Sequence, residues 1–289
     1  MIDLHTHSTA SDGSDSPSLL VKNAVEKGLS AVALTDHDTV SGIPEFLEAG
    51  REAEIRTVPG VELSCRGENR ELHIVGLFID HETPSLLAFL EKMRQSRKQR
   101  NEEMLIRLNV IGFPLTWEEL ENEAGGESIG RPHFAQALIR KGYFQTPRDV
   151  FEQCLKRGKR AYVPRQLPSP AEGIRAIHEA GGIAVWAHPV SHNSGGSGRS
   201  HVRRCLKKLI PEGLDAIESY YSQFTAAQHE MVMELAEEYS LLSSGGSDYH
   251  GKNIPGLALG TGMGDLAVPD DLLFPLEERW KKRYEDGMN

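Results

Sequence analysis

Histidines and acidic residues recur in this chain at the short spacings that metal sites use. The segments 5–7, 36–38 and 248–250 read His-Thr-His, Asp-His-Asp and Asp-Tyr-His. Imidazole and carboxylate groups bind divalent cations together, and a carboxylate can bridge two of them. Each motif alone is weak evidence, because histidine is also a common core residue and an aspartate can cap a turn. Several of them at one strand edge are much stronger evidence for a metal centre.

The candidate metal ligands form a larger set once the single histidines and acids near other predicted strands are added. They are His5, His7, Asp12, His37, Glu62, His73, His188, Asp248 and His250. These side chains exceed what one ion takes at a coordination number of about four to six, so the sequence predicts two or three ions. Two ions about 3.5–4 Å apart can clamp a phosphoryl group and activate a bridging hydroxide. No cysteine ligand belongs to the set, which favours Mn²⁺, Fe²⁺ or Zn²⁺ in an open catalytic site over structural zinc.

Alternating strands and helices are predicted to bring these residues together. The predicted strands cover 2–4, 31–34, 57–63, 72–78, 183–187, 215–219 and 241–244. Strand–helix repeats at this spacing predict parallel strands with right-handed crossovers, in a barrel or a doubly wound sheet. Five strands end in candidate ligands, and the carboxyl edge of parallel strands is where sites form. His73 lies inside its strand and should point away from the side of Ile74.

The middle of the chain has a different pattern. Residues 80–160 show helical periodicity and no convincing strand, with helices predicted at about 83–110, 116–123, 132–141 and 147–157. We therefore predict a barrel formed by residues 1–79 and 161–289, with residues 80–160 as a helical insert that caps the substrate.

Composition excludes several classes of protein. The net charge of −10 argues against a general nucleic-acid coat protein, and no apolar stretch is long enough to span a bilayer. Cys65, Cys154 and Cys205 are widely spaced and odd in number, which predicts buried or inert thiols rather than disulfides. Strand-like residues begin at Ile2, leaving no room for a targeting leader, so a cytoplasmic location is expected.

The motifs resemble those of the PHP (polymerase and histidinol phosphatase) family over nearly the whole chain. The resemblance implies a distorted (β/α)7 barrel with a trinuclear metal centre and a helical insert subdomain. The segments that carry it are His5-Thr6-His7-Ser8, Thr35-Asp36-His37-Asp38, Gly60-Val61-Glu62, Leu72-His73-Ile74-Val75-Gly76, Ala187-His188-Pro189 and Gly246-Ser247-Asp248-Tyr249-His250.

Within this family the chain most resembles the group of ribonuclease AM and the 3′,5′-nucleotide bisphosphate phosphatases. Local segments at 8–13, 130–135 and 158–164 carry that closer similarity, together with the helical insert.

The resemblance also implies how the ligands are shared among three ions. The first ion would be held by His5, His7, Glu62 and Asp248; the second by Glu62, His73 and His188; the third by Asp12, His37 and His250. Glu62 would bridge the first two ions. Asp36 and Asp38 would orient ligand imidazoles, or else act as capping and turn residues.

Substrate contacts are predicted from cationic residues. Arg131 and His133 stand at the start of a helix in the insert, where a helix N-terminus favours anions, and Lys159 could reach the same phosphate. For His133, a capping role is the alternative to a phosphate contact or a general acid. Many relatives have His-Pro-Gly-Arg after the fifth strand, whereas this chain has His188-Pro189-Val190-Ser191 and its next arginine is Arg199. Either Arg199 takes that role or the substrate contacts differ.

These observations predict a metal-dependent phosphoesterase. The candidate reactions are removal of the 3′-phosphate from nucleoside 3′,5′-bisphosphates and 5′→3′ hydrolysis of short RNA at the same centre. The alternatives are a histidinol-phosphate-type phosphatase acting on another small phosphomonoester and a non-catalytic, metal-binding regulatory module. The expected partners are a small phosphorylated nucleotide or a short RNA as substrate, with no membrane and no stably bound nucleic acid.

Overall fold

The computed structural model describes residues 1–68, 71–124, 129–190 and 198–287, with side chains through residue 283. Within these residues a single sheet has seven strands. The strands are β1 (Ile2–Asp3), β2 (Ala31–Leu34), β3 (Arg56–Arg66), β4 (Glu71–Leu77), β5 (Ile183–Trp186), β6 (Ala216–Tyr221) and β7 (Leu242–Gly246). Their spatial order follows the chain order.

The sheet curls into a nearly closed barrel. The edge strands β1 and β7 meet where the Leu4 N–H donates to the Gly245 carbonyl oxygen at 3.0 Å. A parallel bridge between Thr6 and Tyr249 continues this seam beyond the ends of the two strands. The predicted seven-stranded α/β barrel is therefore confirmed.

Strand β4 corrects the prediction that all strands run parallel. It pairs antiparallel with both β3 and β5, while the other neighbouring pairs are parallel. The connection from Arg66 to Glu71 is far shorter than the dozen or so residues that a parallel crossover needs. The reversal places the start of β4, including His73, at the same end of the barrel as the carboxyl ends of its neighbours.

Small and branched apolar side chains fill the barrel interior. The cluster includes Ile2, Leu4, Ala31, Ala33, Val58, Val75, Leu77, Ile183, Val185, Ala187 and Ala216, all buried. Residues 73, 75 and 77 share the inward side of β4 because side chains alternate along a strand. His73 therefore points away from the side of Ile74, as predicted, and caps the apolar interior with a polar group.

The described residues contain ten α-helices. They are α1 (Pro17–Glu26), α2 (Ile43–Glu52), α3 (Pro84–Val110), α4 (Trp117–Ala124), α5 (Arg131–Arg140), α6 (Pro147–Val150), α7 (Pro170–Glu179), α8 (Arg199–Leu209), α9 (Ala226–Glu238) and α10 (Leu273–Gly287). Ser16 begins α1 as predicted, its Oγ accepting from the Leu19 N–H at 3.2 Å before Pro17 at the first turn. The α6 backbone continues as a π-helical turn over Phe151–Leu155.

The chain forms two compact units. The first comprises Met1–Leu90 and Pro168–Asn289, and the second comprises Glu91–Leu167. The first unit thus continues beyond residue 79, because α3 begins within it and buries Leu86 completely. The second unit has its own core, which includes Met104, Leu120, Phe134, Leu138, Val150 and Leu155. Its described residues contain helices and no strand.

Two further expectations concern membranes and cysteines. None of the helices described here combines the length and apolarity needed to cross a bilayer. Cys65, Cys154 and Cys205 are all buried free thiols, as the spacing predicted.

Candidate metal centre

The candidate metal centre forms where the barrel strands end. His5 and His7 follow β1, and His37 follows β2. Glu62 lies three residues beyond Pro59, the residue of β3 that pairs with the last residue of β2. His188 follows β5 directly. Asp248 and His250 follow β7. The nine predicted ligands therefore come together at one end of the barrel, with Asp12 brought in by the loop after β1.

Glu62 lies at the centre of the cluster and is fully buried. Its Oε1 lies 2.8 Å from His73 Nδ1 and 2.9 Å from His188 Nε2. Its Oε2 lies 2.9 Å from His37 Nδ1 and 3.4 Å from Nε2 of both His5 and His7. One carboxylate therefore faces five imidazoles, a geometry that suits a bridging ligand.

Three overlapping groups offer ligand atoms that all lie within 4.8 Å of one another. The groups are His5, His7, Glu62 and Asp248; His7, Asp12, His37 and His250; and His37, Glu62 and His73. The first group is the set predicted for the first ion. The second contains the set predicted for the third ion, with His7 added. In the third group His37 occupies the place predicted for His188, although His188 also contacts Glu62.

Several buried atoms in the cluster make no hydrogen bond within the described residues. These atoms are His5 Nε2, both ring nitrogens of His7, His37 Nδ1 and Glu62 Oε2. His37 Nδ1 and Glu62 Oε2 lie 2.9 Å apart but do not have the geometry of a hydrogen bond. A buried polar atom without a partner is costly, and a divalent cation would satisfy these atoms. The donor set therefore fits a metal centre.

The electrostatics of the cluster also call for cations. Burial alone would raise the pKa of Glu62, but the surrounding imidazoles, led by His37 and His73, hold it well below its ordinary value. Burial would lower the pKa of His73, yet Glu62 raises it to about 10. Burial and the neighbouring His250 together lower the pKa of His7 to about 4. The carboxylate is thus held ionised by nearby positive charge, which bound metal ions would also supply.

The loops that carry the ligands are fixed by buried carboxylates of their own. Asp36 accepts from the Ser8 N–H and Ser8 hydroxyl, both at 2.7 Å, and from the Ser11 hydroxyl at 2.6 Å. These contacts differ from the predicted orientation of an imidazole by Asp36, because the carboxylate instead shapes the loop that bears Asp12. Asp38 accepts from the Ser64 N–H at 2.9 Å and ties the β2 loop to β3.

A third buried carboxylate, Asp3, braces the seam between β1 and β7. Asp3 accepts from the Ser247 N–H at 2.9 Å, the Ser247 hydroxyl at 2.6 Å and the Gly260 N–H at 2.8 Å. A Cβ placed on Gly246 would lie 2.4 Å from the backbone nitrogen of His5, so glycine permits this close approach of the two segments. The packing thereby positions His5 beside Asp248.

Two functional candidates on β6 were missed in the sequence. Glu218 is 2% exposed, and its Oε1 lies 2.9 Å from His5 Nδ1. The Tyr221 hydroxyl donates to Asp248 Oδ2 at 2.9 Å. An irregularity in the pairing of β6 with β7 between Glu218 and Tyr220 lets both side chains face the cluster although they are three residues apart. The available signal was a lone glutamate that directly follows two apolar residues, Ala216 and Ile217, in the predicted strand 215–219.

The predicted substrate residues are placed as follows. Arg131 and His133 occupy the first turn of α5 in the second unit, and the Gly130 N–H donates to His133 Nδ1 at 3.0 Å. This bond supports the capping alternative for that nitrogen. Lys159 is exposed beyond the π-helical turn of the same unit. Arg199, at the start of α8, pairs with Glu234 of α9. Contact of these residues with phosphate stays a prediction; residues 191–197 of the Gly/Ser-rich loop lie outside the described residues.

Comparisons with known proteins show which proteins this chain is similar to. The family model of the PHP domain matches residues 3–123. A 5′→3′ exoribonuclease of Haemophilus influenzae is 37% identical over 248 residues, covering 86% of this chain and 89% of that protein. A 3′,5′-nucleoside bisphosphate phosphatase of Chromobacterium violaceum is 33% identical over 273 residues, covering 94% and 92%. The crystal structure of a metal-dependent phosphoesterase of Bifidobacterium adolescentis superposes with a TM-score of 0.83 at 31% identity, covering 96% of each chain.

Proposed function

Because the chain belongs to the PHP family of metal-dependent phosphoesterases, we propose that it hydrolyses the 3′-phosphate of nucleoside 3′,5′-bisphosphates and degrades short RNA from the 5′ end. Both activities use one centre, since the same attack on phosphorus cleaves a monoester or a diester. The two curated relatives described above, which cover most of this chain, carry these two names.

The observation that carries the proposal is the arrangement around Glu62. A fully buried carboxylate that faces five imidazoles has no ordinary structural role, because burying so many ionisable groups is costly without a cation. We assign the cluster two to three divalent ions, with Mn²⁺ as the first choice and Fe²⁺ or Zn²⁺ as alternatives.

Two of the groups described above support the proposed ligand allocation. His5, His7, Glu62 and Asp248 would hold one ion, and Asp12, His37 and His250, which form a group together with His7, would hold another. His73 and His188 share Glu62 Oε1 and form the place for a further ion. When bound, such ions lower the pKa of a water molecule and neutralise charge on the phosphoryl oxygens.

The chain's own residues prepare the site for this chemistry. The Tyr221 hydroxyl engages Asp248 Oδ2, so Oδ1 is the atom that faces the histidines, at 3.1 Å from His7 Nε2 and 3.5 Å from His5 Nε2. Buried groups and their hydrogen bonds hold the metal-binding side chains in place. These side chains therefore need little rearrangement when charge develops on the phosphate.

In this proposal two of the substrate contacts come from residues of the second unit. Arg131, at the start of α5, binds the second phosphate of a bisphosphate, where the helix N-terminus also favours an anion. Lys159 adds a flexible positive charge, and Arg199 is a further candidate from the first unit.

The Arg131→Ala variant tests this assignment. We expect a rise in KM for substrates with two phosphates and little change for a substrate with one, because the lost contact lies on the phosphate that is not cleaved. Arg140→Ala is the matched control, since Arg140 ends the same helix and its side chain is 70% exposed. An unchanged KM in the Arg131 variant would remove this residue from the site.

A substrate panel tests the proposed function. The Mn²⁺-loaded protein is offered adenosine 3′,5′-bisphosphate, histidinol phosphate and a 5′-phosphorylated oligoribonucleotide, and inorganic phosphate and mononucleotides are measured. Release of phosphate together with AMP supports the bisphosphatase activity, and stepwise mononucleotides support the exoribonuclease activity.

Two outcomes of the panel would contradict the proposal. Preferred hydrolysis of histidinol phosphate would indicate a phosphatase for another small phosphomonoester. Inactivity on all three substrates, with metal shown to be bound, would indicate a non-catalytic metal-binding module.

A further inference from the structure

Glu218 is a buried carboxylate that none of the proposed ligand groups includes. It lies on the inward side of β6, two residues after the core residue Ala216, and it is 2% exposed. Both of its oxygens are engaged by groups next to the metal cluster. Oε1 lies 2.9 Å from His5 Nδ1, and Oε2 accepts from the His188 N–H at 2.6 Å.

The contact with His5 determines which ring nitrogen can bind a metal. An imidazole that donates from Nδ1 has its lone pair on Nε2. Nε2 of His5 is the atom that faces Glu62 Oε2 at 3.4 Å and Asp248 Oδ1 at 3.5 Å. Glu218 therefore selects the tautomer of His5 in which the correct nitrogen is directed into the cluster.

The contact with His188 holds a strained part of the backbone. His188 has φ of +32°, a conformation rare for a residue with a side chain, and it precedes Pro189, which restricts it further. The hydrogen bond from its N–H to Glu218 stabilises this conformation. Its Nε2 is thereby kept 2.9 Å from Glu62 Oε1.

We propose that Glu218 is a positioning residue that fixes His5 as the Nδ1–H tautomer and so sets the affinity of the ion held by His5, His7, Glu62 and Asp248. This inference deepens the proposed function and rests on the same metal centre. Outer hydrogen-bond partners of metal-binding histidines typically change metal affinity or activity by about 10- to 100-fold when they are replaced.

The Glu218→Gln variant tests the inference because glutamine has one acceptor where glutamate has two. The His188 N–H can only donate, so the amide oxygen turns toward it. The amide NH₂ then faces His5 Nδ1, which must accept, and the ring proton moves to Nε2. The nitrogen that faces the metal site is now protonated, and we expect about a 10- to 100-fold loss of metal affinity.

Two measurements report this change without relying on activity. Zn²⁺ affinity is measured by competition with a chelator, and the ring protons of His5 are followed by ¹H–¹⁵N NMR of the diamagnetic Zn²⁺-loaded protein. We expect a hydrogen-bonded Nδ1–H signal from His5 in the native protein. In Glu218→Gln at saturating Zn²⁺ we expect its loss, because Nδ1 either accepts from the glutamine amide or, where Zn²⁺ binds Nε2, carries a proton that has no acceptor. Retention of that signal, or native affinity for Zn²⁺, would overturn the inference.

Control variants separate positioning from folding. Glu237→Gln removes an exposed glutamate from α9 and should leave both measurements unchanged. Glu218→Asp keeps two acceptor oxygens, so we expect it to recover the Nδ1–H signal and part of the Zn²⁺ affinity even if Glu218→Gln folds poorly. Recovery of neither would count against the inference. Failure of the native protein on the substrate panel would defeat the proposed function alone, since these measurements need no substrate.

Discussion

Asp215 provides the sharpest test of how the barrel is held together. This carboxylate, just before β6, has no exposed side-chain surface. Its Oδ2 lies 2.9 Å from His178 Nε2 and accepts from the Ala184 N–H at 3.0 Å. Its Oδ1 accepts from Arg279 Nε at 2.8 Å and Arg283 Nη2 at 2.6 Å. One side chain next to β6 therefore contacts the neighbouring barrel strand β5 and the helices α7 and α10.

The Asp215→Asn variant should lower the free energy of unfolding substantially. Removing one partner of a buried ion pair costs about 3–5 kcal/mol. The two arginines are partly exposed, so water recovers some of that cost and we expect about 2–4 kcal/mol. For a protein of this size, this corresponds to a fall in Tm of roughly 3–7 °C.

The loss of stability in Asp215→Asn should depend on pH. Burial would raise the pKa of Asp215, but hydrogen bonds led by His178 hold it well below its ordinary value. A carboxylate with a depressed pKa stabilises the folded protein above its unfolded pKa of about 4, and the contribution is lost as the pH falls toward the folded pKa. The difference between native and variant protein should therefore be largest near neutral pH and shrink below pH of about 4.

The assay is urea unfolding of native and variant protein at several pH values, with Asp265→Asn as the control because Asp265 is an exposed aspartate. A difference below about 1 kcal/mol at neutral pH would refute the reasoning that Asp215 is a buried structural tie. A difference that does not change with pH would refute the assignment of its depressed pKa.

Three further predictions concern the metal centre. Asp248→Asn should reduce turnover by several orders of magnitude while circular dichroism shows an intact fold, because the amide lacks the charge that holds a cation; near-normal turnover would remove Asp248 from the ligand set. Gly246→Ala should weaken Zn²⁺ binding, since the new Cβ would lie 2.5 Å from His5 Cβ. Gly198→Ala is the control and should leave the affinity unchanged, because no atom of the described residues lies within 4 Å of its added Cβ. Equal affinities in the two variants would contradict the close approach at Gly246. Removal of metal by a chelator should lower Tm, because an ion present at a thousand times its Kd adds about 4 kcal/mol to the free energy of unfolding. An unchanged Tm would argue against a tight site.

Most of the candidate site could be predicted because its residues follow strands. A histidine or an acid directly after a buried apolar strand lies at the carboxyl edge of a parallel sheet, whatever the helices between strands do. His5, His37, His188 and Asp248 were placed by this rule alone. His73 was placed by alternation within its strand, which holds in either strand direction.

The direction of β4 was predicted wrongly although the sequence contained the signal. The predicted strands 57–63 and 72–78 leave too few residues between them for a parallel crossover, so the hairpin follows from loop length. Strand–helix alternation elsewhere in the chain outweighed this local constraint in the prediction.

Glu218 and the contacts of Asp36 could not be predicted by the same reasoning. A single glutamate in a strand carries no motif, and its role depends on His5, which is 213 residues away. Asp36 was expected either to orient an imidazole or to act as a capping or turn residue, and Ser8 and Ser11 are the donors that it contacts once the loop folds. Such outer contacts depend on three-dimensional packing, which residue types and spacing do not encode locally.

The closure of the barrel at Gly246 has a consequence for synthesis of the protein. His5 and His7 leave the ribosome more than two hundred residues before Asp248 and His250. The two histidines therefore lack Asp248 until β7 has emerged and taken its place beside β1. A nascent or truncated chain that stops before Asp248 has an incomplete group of His5, His7, Glu62 and Asp248, so an ion proposed for this group could be held by all four residues only after β7 is made.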